Sequence, residues 1–185
     1  MAVPRHAAGT AALLVLVSGA PGAGKTTLAR EIAHALRLFH LHRDGIWDGL
    51  RFTAARGRGE RLAHGVDVWY AAMTLLLGSG VSLVADGTLY RDWDEANVRP
   101  LLGLGEVVNV HCRADEAIGR YRARHEREGT SVDELSALVA RVEAEQHRVV
   151  EPLGLGCPCL EVDTGDGYDP PLPDVLRALR RPPAG

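Results

Sequence analysis

The chain predicts a three-layer α/β fold around a parallel sheet, and three observations carry that prediction. Short apolar runs alternate with helical patterns along the 185 residues. The first run leads into a glycine-rich turn and then a helical pattern, the order of a strand, a phosphate-binding loop and a helix. Aspartates close the second and third runs, at the strand ends where open parallel sheets bind ligands.

Leu13-Leu14-Val15-Leu16-Val17 suits a strand buried on both faces. Gly19-Ala20-Pro21-Gly22-Ala23-Gly24-Lys25-Thr26 follows and fits G-x-x-x-x-G-K-[ST] at each fixed position. Its glycines let the backbone wrap a phosphate with N–H groups inward, and the helix that starts there adds the positive end of its dipole. Apolar residues at 28, 32, 33 and 36 make one face of that helix. Lys25 is placed to reach the outer phosphates, Thr26 to offer a hydroxyl to Mg²⁺, and Thr27 completes the nucleotide-binding stretch. The competing reading is a glycine turn with a chance lysine. Lys25 is the only lysine, however; the other 20 of the 21 basic residues are arginines. A lone lysine here marks a site that needs a compact, flexible ammonium.

Residues 38–43 read as the second strand, ending at Asp44-Gly45, with a helix from Ile46 to about Thr53. Arg56-Gly57-Arg58-Gly59 reads as a break before a longer helix, Glu60 to Leu77, stopped by Gly78-Ser79-Gly80. Residues 81–85 form the third strand, closed by Asp86-Gly87-Thr88, and a helix runs from Asp92 to about Leu102. The fourth strand covers 106–111 and the next helix 114–126. After Gly129-Thr130-Ser131 a helix spans 132–150, with 132, 135, 138, 139, 142 and 149 on one apolar face. A fifth strand at 159–162 and a helix at 174–180 close the pattern. Residues 1–10 and 181–185 read as loose tails of a single domain over 1–185.

Hydrophobic residues at 46% and charged ones at 24% are ordinary for a soluble globular protein. A net charge of −3 provides no global basic field to recruit nucleic acid or an anionic membrane. No apolar run approaches the roughly 20 residues of a spanning helix. Arg5 with 11–17 faintly imitates a secretory leader, but cleavage near Ala20 would cut the phosphate loop, so the expected place is the cytoplasm. Cys112, Cys157 and Cys159 lack zinc-type spacing and read as reduced thiols.

The phosphate loop, Asp44 and Asp86 follow the first three strands and should share one sheet edge. Asp44 is the candidate general base, against the competing reading of an Asp-Gly turn. Asp86 ends an apolar strand and could hold Mg²⁺ directly or through water, or face the acceptor. Arg120, Arg124 and Arg127 recur at i, i+4 and i+7, a face able to close over phosphates. The competing reading is a solvated surface paired with Glu126 and Glu128; Arg120 and Arg124 are preferred, with Arg141 a further candidate. Trp47, Asp48, Arg51, Thr88, Trp69, Tyr70 and the loop 89–93 fall on the acceptor side, where aromatics with a few polar groups suit a sugar, a nucleoside or a ring-bearing natural product. His40 and His42 have no third ligand nearby and read as strand residues.

On Gly19 to Thr26, Asp44 in His42-Arg43-Asp44-Gly45, Asp86-Gly87-Thr88 and Arg120-Tyr121, the chain resembles the P-loop kinases of small molecules over essentially its whole length. Within them it looks most like the branch of chloramphenicol phosphotransferase and the zeta toxins. The resemblance implies sheet order 2-3-1-4-5, an arginine-bearing lid around 120–141, ATP with Mg²⁺, and Asp44 as base. Where this chain has Asp-Gly-Thr, zeta toxins carry Glu-Gly-Thr with the acid on the substrate, so both roles of Asp86 stay open. The expected activity is transfer of the γ-phosphate of ATP to a hydroxyl of a small molecule, and the similarity to chloramphenicol phosphotransferase suggests an antibiotic or related natural product, phosphorylated as resistance. Alternatives are a nucleotide-sugar or nucleoside kinase and, in a different class, an ATPase switch with no acceptor. A GTPase would carry Asn-Lys-x-Asp, which a chain whose only lysine is Lys25 lacks. A nucleic-acid end kinase is disfavoured by the net negative charge; monomer and homodimer are both open.

Overall fold

The computed structural model describes residues 11–51 and 58–180. The five apolar runs form one parallel sheet in the order β2-β3-β1-β4-β5. Its strands are β1 (Leu13–Gly19), β2 (Phe39–His42), β3 (Leu83–Asp86), β4 (Glu106–Arg113) and β5 (Cys159–Asp163). The helices are α1 (Lys25–Leu36), α2 (Arg43–Arg51), α3 (Arg58–Gly78), α4 (Arg91–Val98), α5 (Ala117–Arg127), α6 (Val132–Glu145) and α7 (Leu172–Arg180). Single 3₁₀ turns follow α4 (Arg99–Gly103) and α6 (Gln146–Arg148).

β1 is central because its side chains feed two cores at once. Leu14 and Leu16 point to one, with Trp69, Met73, Leu77 and Leu101, while Val15 and Val17 point to the other, with Leu28, Ile32, Val110 and Val175. All four β1 residues are fully buried, which is why the strand reads as continuous rather than alternating hydrophobicity. The register sets Val17 and His42 on either side of Asp86, so three strands reach the phosphate-loop edge together. No helix among the described residues is long and apolar enough to cross a membrane.

Element ends differ from expectation for local reasons. β3 begins at Leu83, not at residue 81; the Leu13 N–H donates to Ser82 Oγ at 3.0 Å, so a side chain takes the first rung. α2 begins at Arg43, directly after β2, so Asp44-Gly45 is the first turn of a helix and not a turn between elements; an acid there complements the dipole. The break expected over residues 56–59 lies partly outside the described residues, and α3 is already helical at Arg58. The helix from Asp92 tightens to 3₁₀ at Arg99-Pro100, where proline has no N–H to give. α6 ends at Glu145, five residues early; of its expected apolar face Leu135 and Val139 are buried, while Val132 is 79% exposed.

Below the phosphate loop the sheet carries a buried polar knot. Ser18 Oγ lies 3.0 Å from Asn109 Oδ1 and 2.9 Å from His111 Nδ1, and His111 Nε2 lies 3.1 Å from the Val150 carbonyl. The carbonyl can only accept, so Nε2 carries hydrogen and His111 pins the segment after α6 to β4. Burial pulls His111 below the ordinary imidazole value, against the opposing pull of the Val150 hydrogen bond. A histidine with a lowered folded value takes its proton more readily when unfolded, so its contribution is intact above about pH 6.5 and lost as pH falls. Urea midpoints should therefore drop less steeply between pH 7 and pH 5 in His111→Gln than in the wild type; parallel curves would clear His111 of that role.

Candidate active site

The phosphate loop is built to leave donors free. Gly24, at φ 72°, is the N-cap of α1; it has no side chain to cap the helix, and no acid stands in the first turn. The first N–H groups and the dipole are thus left for an anion. Gly22 has φ 84°, and a Cβ there would overlap the Ala117 carbonyl, so the loop packs backbone to backbone on the start of α5. On its other side Thr164, just past β5, has its hydroxyl 3.0 Å from both the Ala23 and the Arg113 carbonyls. Lys25 is 8% exposed, and its ammonium donates to the Ala20 carbonyl at 2.7 Å, curling over the loop. Burial brings it down to about 8, although the carboxylates of Asp86 and Asp44 pull upward; the nearby charge of Arg124 pushes the same way as burial.

Asp86 is wholly buried and saturated. Its Oδ2 accepts from the Thr26 hydroxyl at 2.7 Å, its Oδ1 from His40 Nε2 at 2.7 Å, and His42 Nδ1 lies 3.0 Å from Oδ2 and 3.1 Å from Oδ1. Burial alone would raise this carboxyl, but hydrogen bonds from His40, His42 and Thr26 outweigh it and hold the group ionised far below its usual range. The same Asp86 hydrogen bond raises His42 above the ordinary imidazole value.

Asp44 is exposed and, among the described residues, makes no hydrogen bond or ion pair. Its place is set by its neighbour. Arg43 donates to the Thr88 carbonyl at 2.6 Å, lies 3.8 Å from Asp94 and sits 5.7 Å over the Trp69 ring. Asp94, with no exposure, also accepts from the Tyr70 hydroxyl and the Tyr90 N–H, both at 2.6 Å. The first turn of α2 is therefore bolted to the loop after β3. Trp47 lies against Gly65 of α3, where a Cβ would overlap its ring. A cleft of about 620 Å³ opens here, lined by Asp44, Trp47, Thr88, Tyr90, Trp93 and Arg141 among others. The side chain of Arg51 lies outside the described residues.

The arginine face of α5 is divided. Arg120 donates to the Thr164 carbonyl at 2.7 Å and to the Gly165 carbonyl, and it lines a separate cavity of about 330 Å³ with Asp115, Glu116, Asp163 and Asp166. Arg124 lies 5.4 Å over the Tyr121 ring and 3.9 Å from Glu128, within electrostatic reach of Lys25. Arg127 is exposed and donates to the Ala123 carbonyl one turn back. Arg141 pairs with Glu145 at 3.4 Å on the cleft wall.

The family model described as "AAA domain" (AAA_33) matches residues 14–153. The chain belongs to this AAA_33 family. A candidate kinase from Chloroflexus aurantiacus j-10-fl is 25% identical, with 93% of this chain and 96% of that one covered at a TM-score of 0.75. A gluconokinase from Sinorhizobium meliloti 1021 is 18% identical, covered 92% and 93%, at 0.58. Shikimate kinase from Acinetobacter baumannii, in complex with shikimate, is 18% identical, covered 91% and 90%, at 0.50. No curated protein matches the chain. Sheet order, phosphate loop and these neighbours make the AAA_33 chain a P-loop kinase fold.

Reading the sequence missed what His40, His42 and Arg43 do. Two histidines at i, i+2 beside a strand ending in aspartate were the available signal; for Arg43 there was none, because its partners are a carbonyl and an aspartate 51 positions on. Gly22→Ala should cost about 2 kcal/mol or more in chemical denaturation, from the left-handed backbone and the Ala117 overlap, and weaken ATP binding. Wild-type stability in that variant would refute the packing described.

Proposed function

We propose that this chain is an ATP-dependent phosphotransferase that moves the γ-phosphate to a hydroxyl of a small organic acceptor held in the cleft beside Asp44. The observation that carries the reading is the meeting of the phosphate loop, Asp86 and an Asp44 carboxylate with no partner among the described residues at one sheet edge, next to that cleft. Membership of the AAA_33 family and kinase neighbours support it.

Gly19 to Thr27 hold the phosphates through backbone N–H groups, and Lys25 neutralises the outer ones. Thr26 and Asp86 are hard oxygen donors 2.7 Å apart at the loop, a set that fits Mg²⁺. Thr26 would hold the ion, with Asp86 behind it through water because its oxygens are engaged by Thr26, His40 and His42, and bound Mg²⁺ supplies charge neutralisation on the phosphates. Because Asp86 is buried, bonded to Thr26 of the phosphate loop and not part of the cleft lining, we assign it to the metal side and not to the acceptor. The loop after β5 and the start of α5, with Arg120, wall the cavity for the nucleotide base. Arg124, exposed, paired only at 3.9 Å with Glu128 among the described residues and within electrostatic reach of Lys25, is the arginine assigned to the transferring group.

Asp44 takes the acceptor's hydroxyl proton as that oxygen bonds to the γ-phosphorus, and the bond to the bridging oxygen breaks to release ADP. Trp47, Tyr90, Trp93 and Thr88 offer the acceptor ring faces and polar edges, which suits an antibiotic or other natural product, with a nucleoside or nucleotide sugar as the alternative. An ATPase switch would not need a cleft at its base. The cytoplasm, where ATP is supplied, is the place we assign.

Hydroxylated compounds screened for stimulated ADP release, with a phosphate added by mass, should identify the acceptor; hydrolysis indifferent to every compound would favour the switch. With that acceptor, Asp44→Asn should lower kcat by about 10²–10⁴-fold with little change in the KM for ATP. Undiminished turnover would remove Asp44 as base.

A further inference from the structure

We propose that His40 and His42 are positioning residues that lock the Asp86 carboxylate toward Thr26 and thereby set the affinity of the nucleotide site for its divalent cation. The inference rests on the metal-side reading of Asp86.

The two histidines are two apart on β2, so both project from the same face, with ring centroids 6.1 Å apart and planes 29° from parallel. His42 is in register with Asp86 and His40 with Val84, so the rings approach the carboxylate from two heights. His40 Nε2 takes Oδ1 at 2.7 Å, Thr26 takes Oδ2 at 2.7 Å, and His42 Nδ1 spans the two, 3.0 Å from Oδ2 and 3.1 Å from Oδ1. An ionised carboxylate only accepts, so both ring nitrogens carry hydrogen and the carboxylate is fixed in rotation. Asp86 is 1% exposed at its side chain while His40 and His42 are 21% and 32% exposed. The charge thus sits inside, and its supports stand toward the open edge of the sheet.

Without them, a buried carboxylate with one hydroxyl partner would swing or take up a proton. Among the described residues no group of three His, Cys, Asp or Glu side chains is arranged to hold a metal ion. The ring nitrogens that face Asp86 carry hydrogen, so on that side the histidines act on the carboxylate and do not ligate a cation. The His42 ring also lies under Gly45, where a Cβ would be 3.6 Å from its Cδ2, so the same clamp abuts the turn that carries Asp44.

Asparagine reproduces a donor at the Nδ1 position of histidine and glutamine one at Nε2, which gives the test its control. Binding of a non-hydrolysable ATP analogue is measured by calorimetry against Mg²⁺ concentration, and again in EDTA. The His40→Ala, His42→Ala double variant should need about 10- to 100-fold more Mg²⁺ for half-maximal enhancement of binding, with EDTA binding unchanged. His40→Gln with His42→Asn should restore most of the wild-type requirement. An unchanged Mg²⁺ requirement in the folded alanine variant overturns the proposal, as does an equal loss of affinity in EDTA, which marks a merely structural role. If the double variant does not fold, His40→Ala against His40→Gln makes the same comparison. Asp86→Asn separates the two readings. If it leaves the Mg²⁺ requirement unchanged, the metal-side assignment falls and this inference with it. If it raises the requirement while the histidine variants do not, only the histidine inference falls.

Discussion

A fully buried negative charge at the carboxyl edge of the sheet organises this molecule. Asp86 cannot stay ionised there alone, and everything that supports it comes from a different element: Thr26 from α1, His40 and His42 from β2, with Lys25 close by. Strand order follows from the same demand. β3 must lie between β1 and β2 for one carboxylate to meet both the loop after β1 and the imidazoles of β2. The site is thus a charge arrangement before it is a pocket.

Around that centre the two sides are built differently. The nucleotide side is backbone against backbone, Gly22 on Ala117 and Thr164 across Ala23. The cleft beside Asp44 is framed by polar clasps between the start of α4 and the segment that ends α6. Arg148 grips Asp92 at 2.8 Å, the Tyr90 hydroxyl donates to Glu145 at 2.9 Å, Glu95 accepts from the Gly154 N–H at 2.6 Å, and Arg91 pairs with Glu151. Exposed pairs of this kind contribute little singly. In series they hold a wall that is built apart from the phosphate loop.

How much of this was legible depended on how local each constraint is. The phosphate loop was readable because its glycines and Lys25 act within eight residues, and the strand order followed from resemblance. Asp44 and Asp86 were found by a topological rule about strand ends, not by their own spacing. What the rule could not show is who holds them. Arg43 meets Thr88 and Asp94, and His40 meets Asp86, across separations of 45, 51 and 46 positions, set by strand register. Asp94 carries no signal of its own within a helical pattern, and only packing brings Tyr70 and Tyr90 to it. Helix ends moved for the same reason: α6 stops where Gln146 to Arg148 tighten and Arg148 turns to Asp92, a long-range pull invisible to periodicity.

The solitary lysine has a consequence for chemical reactivity. The chain's single side-chain amine is Lys25, held near 8 by burial. At neutral pH its free-amine fraction is on the order of a hundredfold greater than that of an ordinary surface lysine. An amine-selective acylating reagent small enough to enter the loop finds one side-chain amine in this sequence, and it lies inside the phosphate loop. Phosphates seated there would both cover that amine and draw it back to the charged, unreactive form, so the loop's occupancy is written in the nucleophilicity of one nitrogen.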